Sequence, residues 1–228
     1  MKKFAFTLSE ILITLGIIGV VAAITMPSVI AKHREKVLVE RLKQTYSIFS
    51  QAYLMAKNEY GPSEFWDIGQ GDSGVGAQKL YNMFKPYLLK SRDCDTQTGC
   101  FADDYKSLFG GSYIWQPKTR YTYARGILSN GVSFLFWSNG SGCPENLCGA
   151  IKVDINGLSK PNKAGVDYFD FQIFTDKIFP TYYSSPSPIY GEYCKYNDKS
   201  NLNGITCTGW VINKGNMDYL RRDVSNEF

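Results

Sequence analysis

Two different hydrophobic patterns follow one another at the start of the chain. Residues 11–30 are almost uninterruptedly apolar, whereas from Leu38 onward apolar residues recur at steps of three and four. At roughly 1.5 Å per residue, the first pattern predicts a helix that can cross the hydrocarbon core of a bilayer. The second predicts an amphipathic helix that buries one face and ends at Gly61-Pro62. The residues of that face are Leu38, Leu42, Tyr46, Phe49, Tyr53 and Ala56.

The rest of the chain predicts an α+β domain. Glycines between residues 63 and 76 indicate a loop, and the spacing of apolar residues over 77–90 predicts a shorter helix that Pro86 disturbs. Strand-like runs follow at 113–115, 121–128, 132–137, 150–155, 168–174 and 208–212, with a last turn at 217–220. Ser129-Asn130-Gly131 predicts a hairpin turn in which Asn130 and Gly131 supply positive φ values. A long helix followed by an antiparallel sheet is an α+β architecture.

Length and charge narrow the range of functions. The 228 residues leave room for one long helix and one globular domain, and a second domain is not expected. Basic residues number 25 and acidic residues 21, which gives a mild and scattered formal net charge of +4. This balance predicts neither a nucleic-acid partner nor an acidic one.

All the cysteines lie beyond the apolar segment, which favours disulfide bonds in an oxidising compartment. Pairing between sequence neighbours is the most economical of the connectivities that six cysteines allow. It would join Cys94 to Cys100, Cys143 to Cys148 and Cys194 to Cys207. A zinc site is disfavoured, because the chain has no Cys-x-x-Cys and its one histidine, His33, is far from the cysteines in sequence.

Glu10 is a charged residue at the edge of the apolar segment. An unpaired carboxylate at bilayer depth costs about 2.5 to 3.5 kcal/mol, so a partner for it is expected. If the chain were cut between Ala5 and Phe6, the new α-amino group would lie one helical turn before Glu10. The ammonium of one subunit and the Glu10 carboxylate of a neighbour would then neutralise each other. This predicts a helix that is cut and then assembled against copies of itself.

The same residues carry a resemblance to a known family. A basic leader that ends in the small residue Ala5, followed by Phe6-Thr7-Leu8-Ser9-Glu10 and a long apolar helix, resembles the processing signal of type IV prepilins and type II secretion pseudopilins. The resemblance implies that a prepilin peptidase cuts after Ala5 and methylates Phe6, and that Glu10 directs assembly. The chain departs from the family at Ala5, where Gly is usual.

The resemblance also implies a pilin-like fold and a structural, non-enzymatic role. Residues 1–5 would be the leader, 6–30 the transmembrane and assembly half of the helix, 31–60 its amphipathic half, and 61–228 an extracytoplasmic domain whose sheet packs on that half. Pro27 would kink or locally melt the helix. The chain would cross the inner membrane once, with its N-terminus in the cytoplasm, and then join a periplasmic or cell-surface filament.

The partners implied by the resemblance are the membrane and three kinds of protein. Copies of the subunit or its homologues would form a helical homo-filament or hetero-filament, the prepilin peptidase would process the chain, and the inner-membrane assembly machinery would incorporate it. Whether the filament is a pilus or a pseudopilus stays open, as does the choice between a major subunit and a low-copy tip subunit that binds a ligand. A tyrosine-rich surface would serve the tip role. Its residues are Tyr182, Tyr183, Tyr190, Tyr193 and Tyr196.

Two other interpretations of the apolar segment remain. Val21-Ala22-Ala23 would suit an ordinary signal peptidase, which would release a secreted protein that begins at Ile24. A plain signal anchor is the other. Basic residues flank both ends of the segment, so the positive-inside rule does not fix its orientation, and the cysteines and the resemblance favour a cytoplasmic N-terminus.

One loop has the composition of a calcium site. Asp154, Asn156 and Asp167 lie between two predicted strands, and carboxylates and amide carbonyls around a glycine turn are ligands that calcium prefers. Tight turns use the same residues for conformational reasons, and that is the preferred interpretation. No cofactor is otherwise expected. His33 follows the apolar segment within a basic cluster, where contact with lipid headgroups is more usual than catalysis.

Overall fold

A computed structural model describes residues 7–182 and 193–227. Helix α1 (Leu8–Tyr60) includes both hydrophobic patterns and ends directly before Gly61-Pro62, as the sequence predicts. Contacts divide the chain into two units, and their boundary lies within α1 between Val37 and Leu38. The first unit is helical from Leu8 to its end. The second contains the remaining elements.

The second unit combines the end of α1 with two short helices and an antiparallel sheet. Helix α2 (Gly74–Phe84) leads through a 3₁₀ turn (Lys85–Tyr87) into the sheet, and helix α3 (Cys207–Lys214) follows it. The strands are β1 (Lys90–Asp95), β2 (Ala124–Leu128), β3 (Ser133–Ser138), β4 (Leu147–Asp154), β5 (Tyr168–Phe174) and β6 (Ile178–Pro180). Further 3₁₀ turns lie at Ser63–Phe65, Pro144–Asn146 and Asp218–Leu220.

The six strands follow one another in sequence order, each antiparallel to the next. Because successive side chains of a strand point to opposite faces, the register defines rows of residues on each face. Phe136, Ile151 and Phe171 form one row on the helix-facing side of β3, β4 and β5. Leu135, Lys152 and Asp170 form a row on the opposite side. The α+β prediction of a long helix on an antiparallel sheet is confirmed at this level.

Residues of α1 after Val37 pack on the first of these faces. The rings of Phe49 and Phe134 are 5.7 Å apart between centres, and those of Tyr46 and Phe171 are 5.4 Å apart. The Tyr53 hydroxyl donates to the Phe174 carbonyl at 2.6 Å, which ties the last turns of α1 to the end of β5. The predicted amphipathic face is therefore the buried one. Leu38 and Tyr46 on it are partly buried, and Val39, Thr45 and Ala52 beside it are buried as well. The buried residues are Val39, Leu42, Thr45, Phe49, Ala52, Tyr53 and Ala56.

The opposite face of the sheet is also covered. The connection between β1 and β2, residues 96–123, supplies Phe101, Tyr105 and Tyr113 to a second core against Leu135 and Tyr168. Every residue of β4 is buried as a result. The predicted strand at 113–115 is wrong, because this segment lies in the covering loop. There the side chain of Gln116 satisfies backbone groups of Tyr105 and Tyr113 that a strand neighbour would otherwise satisfy.

The predicted strand at 208–212 is also wrong, because α3 occupies this part of the chain. Its buried apolar residues Cys207, Trp210 and Val211 stand at helical spacing, and Gly215 ends the helix with a φ of +69°. The β-branched residues suggested a strand, but the spacing of the buried side chains and the glycine after Lys214 are those of a helix.

Three smaller corrections concern edges and turns. The polar strand β1 and the three-residue strand β6 were missed, since both are edge strands without apolar alternation. Helix α2 begins at Gly74 because Ser73 caps it, accepting a hydrogen bond from the Gly76 N–H at 3.0 Å. In the β2–β3 hairpin Gly131 has a positive φ, 85°, but Asn130 does not, so the prediction of a positive φ at both residues is wrong for Asn130.

Candidate assembly helix and processing site

The start of α1 is closed by reciprocal hydrogen bonds between Thr7 and Glu10. The Thr7 N–H and hydroxyl donate to Glu10 Oε2 at 2.8 and 2.9 Å, and the Glu10 N–H donates to Thr7 Oγ1 at 3.3 Å. This is a capping box, in which each side chain satisfies a backbone N–H of the other residue. The Thr-x-x-Glu spacing of Thr7 and Glu10 is the sequence signature of this motif. Glu10 therefore has a role within its own chain besides the predicted role between chains.

The apolar segment that follows satisfies its polar groups internally. The hydroxyls of Thr14, Thr25 and Ser28 donate to the backbone carbonyls of Ile11, Val21 and Thr25, each at 2.9 Å. Large apolar side chains from Leu8 to Ile30 are between 45% and 76% exposed. The helix is thus long and apolar enough to cross a membrane, a property that signal sequences share, and its apolar window is not buried inside this chain. An environment without water suits a helix of this kind.

The remaining predicted residues are Ala5 and Phe6, at the cleavage and methylation site, and Pro27, at the helix kink. Ala5 and Phe6 lie outside the described residues. Pro27 lies inside α1, and the helix assignment continues through it. Proline has no N–H, so one backbone hydrogen bond of the helix is missing at this point. The predicted kink stays a prediction.

The six cysteines form the three disulfide bonds predicted from their order. Cys94 is bonded to Cys100, Cys143 to Cys148 and Cys194 to Cys207. Each bond joins a strand or helix end to an adjoining loop: Cys94 belongs to β1, Cys148 to β4 and Cys207 to α3. All six sulfurs are thereby oxidised.

The loop predicted as a calcium site is held by hydrogen bonds from the protein. Asp154 accepts from the Asn156 N–H at 3.1 Å and from the Tyr105 hydroxyl at 2.5 Å. Asp167 accepts from the N–H groups of Asn162 and Lys163 at 2.8 and 2.6 Å. Both carboxylate oxygens of each aspartate are therefore engaged. These bonds support the turn-scaffold interpretation, and calcium binding stays a prediction.

Burial sets the titration of these two aspartates. Burial, together with the nearby Asp167 carboxylate, raises the pKa of Asp154 to about 8. Burial also raises the pKa of Asp167. Two carboxyl groups that face one another away from water resist simultaneous ionisation. Across residues 7–182 and 193–227, no group of three or more His, Cys, Asp or Glu side chains is placed to hold a metal ion.

Sequence reasoning missed two buried charged groups on the outer face of the sheet. Lys152 and Asp170 form an ion pair across β4 and β5, with exposures of 4% and 2%, and the Lys152 ammonium lies 4.6 Å from the centre of the Trp115 ring. The pKa of Asp170 is raised by burial, against the opposing effect of Lys152. Lys152 and Asp154 stand at alternate positions of β4, a pattern that normally indicates a solvent-facing side of a strand.

Arg125 is the second such group, and it is 1% exposed. Its guanidinium donates to the carbonyls of Pro117, Tyr123 and Thr96 at 2.6, 3.0 and 3.1 Å, and to two further carbonyls of the covering loop. Burial lowers its pKa. In the sequence, the one indication of this cover was the long, aromatic-rich stretch 96–123, because loops of that length are uncommon within compact domains.

The predicted tyrosine-rich surface is described at three of its residues, Tyr182, Tyr193 and Tyr196. Tyr183 and Tyr190 lie outside the described residues. The Tyr182 ring packs against Phe179 at 5.4 Å, and Tyr196 against Phe109 at 5.5 Å. Tyr196 is exposed and Tyr193 partly buried. His33 is exposed on α1 between Lys32 and Arg34.

These features define a class of protein: a disulfide-bonded α+β domain built on a helix whose N-terminal part is an exposed, membrane-length apolar segment. The chain belongs to a family of unknown function (DUF6613), whose family model matches residues 28–177. That match begins within the last three residues of the apolar segment and covers the rest of α1 and the sheet as far as the turn after β5. No curated protein and no solved structure matches the chain.

Proposed function

We propose that this chain is a structural subunit of a type IV pilus or a type II secretion pseudopilus. In this proposal a prepilin peptidase cuts after Ala5 and methylates Phe6, and the inner-membrane machinery assembles the product through its N-terminal helix. One observation carries the proposal: Phe6-Thr7-Leu8-Ser9-Glu10 stands directly before an exposed apolar segment within a helix that continues unbroken to Tyr60.

The exposed apolar segment supports assembly by burial. Its side chains need lipid or other helices around them, because fully burying one Val, Leu or Ile side chain is worth about 1.5 to 3 kcal/mol. Copies of the same segment provide such surroundings when they pack together in a filament core. Head-to-tail contacts between identical subunits generate an open helical filament.

The disulfides support the proposed location of the domain. Three bonds and no free cysteine are typical of an oxidising compartment outside the cytoplasm. All of them lie on the C-terminal side of the apolar segment. A single crossing with a cytoplasmic N-terminus would put every cysteine on the oxidising side.

The capping box does not remove the need for a charge partner at Glu10. Thr7 donates hydrogen bonds to the carboxylate but brings no positive charge. In lipid or in a filament core the negative charge remains costly without a cation. The α-ammonium of Phe6 on a neighbouring subunit would supply that cation once the leader has been removed. Glu10 would then cap its own helix and neutralise its neighbour with the same carboxylate.

Mass spectrometry of the mature N-terminus is the first test. The proposal expects an N-methylated Phe6 at the head of the chain in sheared filaments. An Ala5→Glu variant should remain an uncut precursor, because the peptidase site needs a small residue. A mature product that begins at Ile24 would identify an ordinary signal peptide, and an intact leader in assembled filaments would rule out the processing step.

Substitutions at Glu10 separate the capping role from the charge role. Glu10→Gln keeps an oxygen for the capping box, since Gln serves at this position as Glu does, but removes the charge. Thr7→Ala breaks the box and keeps the charge. The proposal expects Glu10→Gln to stay in the membrane fraction yet fail to enter filaments, and Thr7→Ala to be incorporated. Glu40→Ala, at an exposed glutamate later in α1, is the matched control.

The reverse pattern would refute charge pairing. If Glu10→Gln assembles normally and Thr7→Ala does not, the carboxylate acts through the helix cap alone. Incorporation is measured as the ratio of subunit in sheared filaments to subunit in membranes, so a variant that is merely unstable is recognised by its loss from both fractions.

A further inference from the structure

The four residues after the apolar segment form a basic collar, defined as Lys32, His33, Arg34 and Lys36. All four are exposed. At about 100° per residue, Lys32 and Lys36 lie on one side of α1, Arg34 lies nearly opposite, and His33 lies between them. The basic side chains therefore lie on more than one side of the helix and do not form a single stripe, and Glu35 lies in the remaining sector between Arg34 and Lys32. Glu35 is the one acidic residue among them.

The collar stands at the depth of lipid headgroups if the segment crosses a bilayer. The uncharged run between Glu10 and Lys32 is about 30 Å long as a helix, close to the thickness of the hydrocarbon core. Lysine and arginine side chains at such a position extend toward the phosphates. A stripe would suit a protein partner on one side, whereas basic side chains on opposite sides of the helix can meet headgroups at several positions around it.

We infer that this collar binds anionic phospholipid headgroups and holds a shell of such lipids around the helix at the end of its span. The inference rests on the proposed function only in that the segment must be in a membrane. For the proposed filament, this shell would be a contact that each subunit gives up when it leaves the bilayer. It would thus help to retain the unassembled subunit at a fixed depth.

Lipid selectivity of the full chain in vesicles tests the inference. The protein is reconstituted in phosphatidylcholine vesicles that carry either spin-labelled phosphatidylglycerol or spin-labelled phosphatidylcholine, and the motionally restricted fraction of each label is measured. We expect a preference of about fivefold for phosphatidylglycerol, because each anionic headgroup that contacts one basic side chain gains about 1 kcal/mol. About 1 M salt should abolish it, because the screening length falls to roughly 3 Å.

Charge-matched variants locate the effect. The triple variant Lys32→Gln, Arg34→Gln, Lys36→Gln should lose the preference, and glutamine keeps the helix propensity of the stretch. A control triple variant removes three exposed cations of the domain, Lys160→Gln, Lys199→Gln and Arg92→Gln, and should keep the preference. Equal restriction of both lipids by the parent chain, or a preference that survives the first triple variant, would overturn the inference.

The outcome also separates this inference from the proposed function. A chain that inserts in vesicles without lipid preference refutes only the collar and leaves filament assembly standing. A chain that remains in solution refutes the membrane-inserted subunit and the collar together.

Discussion

The two faces of the sheet are both buried, but by different chemistry. The face toward α1 is apolar and aromatic, with rows such as Phe136, Ile151 and Phe171 beneath Phe49. The outer face carries the Lys152–Asp170 pair and Asp154, and the 96–123 connection covers it, tied by Arg125.

The difference concerns specificity as much as stability. Apolar packing depends on volume and is gained wherever similar residues meet. A buried ion pair adds little net stability compared with apolar residues of the same size, because both charges lose their hydration. However, an arrangement of the loop that buried one of these charges without its partner would be costly. We therefore expect the helix side to contribute more to the free energy of folding, and the outer side to favour one position of the covering loop.

The largest expected effect is on the helix-facing side. Phe49→Ala removes a fully buried ring that packs against Phe134 and Phe136, and should lower the free energy of unfolding by about 3 to 5 kcal/mol. Guanidinium unfolding followed by tryptophan fluorescence measures it. Leu54→Ala, at a 62% exposed position of the same helix, should change stability by less than about 0.5 kcal/mol. Similar losses in both variants would contradict the assignment of the buried face.

This contrast also explains what could be predicted from the sequence. The helix-facing core was predictable because apolar residues repeat at helical spacing from Leu38 to Ala56 and because β3 and β5 are rich in aromatic residues. The outer face was not, because Lys152 and Asp154 at alternate positions of β4 have the pattern of a solvent-facing side. Lys152 and Asp154 are buried because the 96–123 loop covers them, and the pattern of residues within β4 does not indicate that cover.

The candidate assembly site shows the same limit. Its residues are local in sequence, so a short motif identifies Ala5, Phe6 and Glu10 as a set. The capping box of Thr7 and Glu10 was also within reach of the sequence. In the proposed filament the charge partner of Glu10 would belong to another copy of the chain, so the structure of a single chain does not contain this contact.

A smaller effect is expected on the outer face, and it should be reversible. Asp170→Asn leaves the buried Lys152 ammonium without its carboxylate and should cost about 3 kcal/mol. The double variant Lys152→Met, Asp170→Leu should recover most of that loss, because it removes both charges from the same apolar surroundings. Chemical unfolding of the parent, Lys152→Met, Asp170→Leu and the double variant completes a double-mutant cycle, and Asp170→Asn is measured beside them.

The control for this cycle is an exposed ion pair. Lys79 and Asp67 lie 2.8 Å apart with exposures of 41% and 80%, so Asp67→Asn should cost less than about 1 kcal/mol. If the double variant at Lys152 and Asp170 is no more stable than Asp170→Asn, the outer face depends on its ion pair as strongly as the helix side depends on Phe49. The contrast between the two faces would then fail.

The smallest expected effect is a change in pH dependence at Asp154, also on the outer face. Its pKa in the folded protein is about 8, against an ordinary value of 3.8, so between these pH values the folded state retains a proton that the unfolded state releases. This contribution to stability is complete below the ordinary pKa and is lost as the pH rises toward about 8. Asp154→Asn removes this titration. Between pH 6 and pH 7 the free energy of unfolding of the variant should therefore decrease by about 1 kcal/mol less than that of the parent. Asp67→Asn should leave the slope of the parent unchanged there, because hydrogen bonding to Lys79 lowers the pKa of Asp67.

Parallel pH profiles for the parent and Asp154→Asn would show instead that the carboxyl is ionised in the folded protein, and the outer face would then hold an additional buried charge.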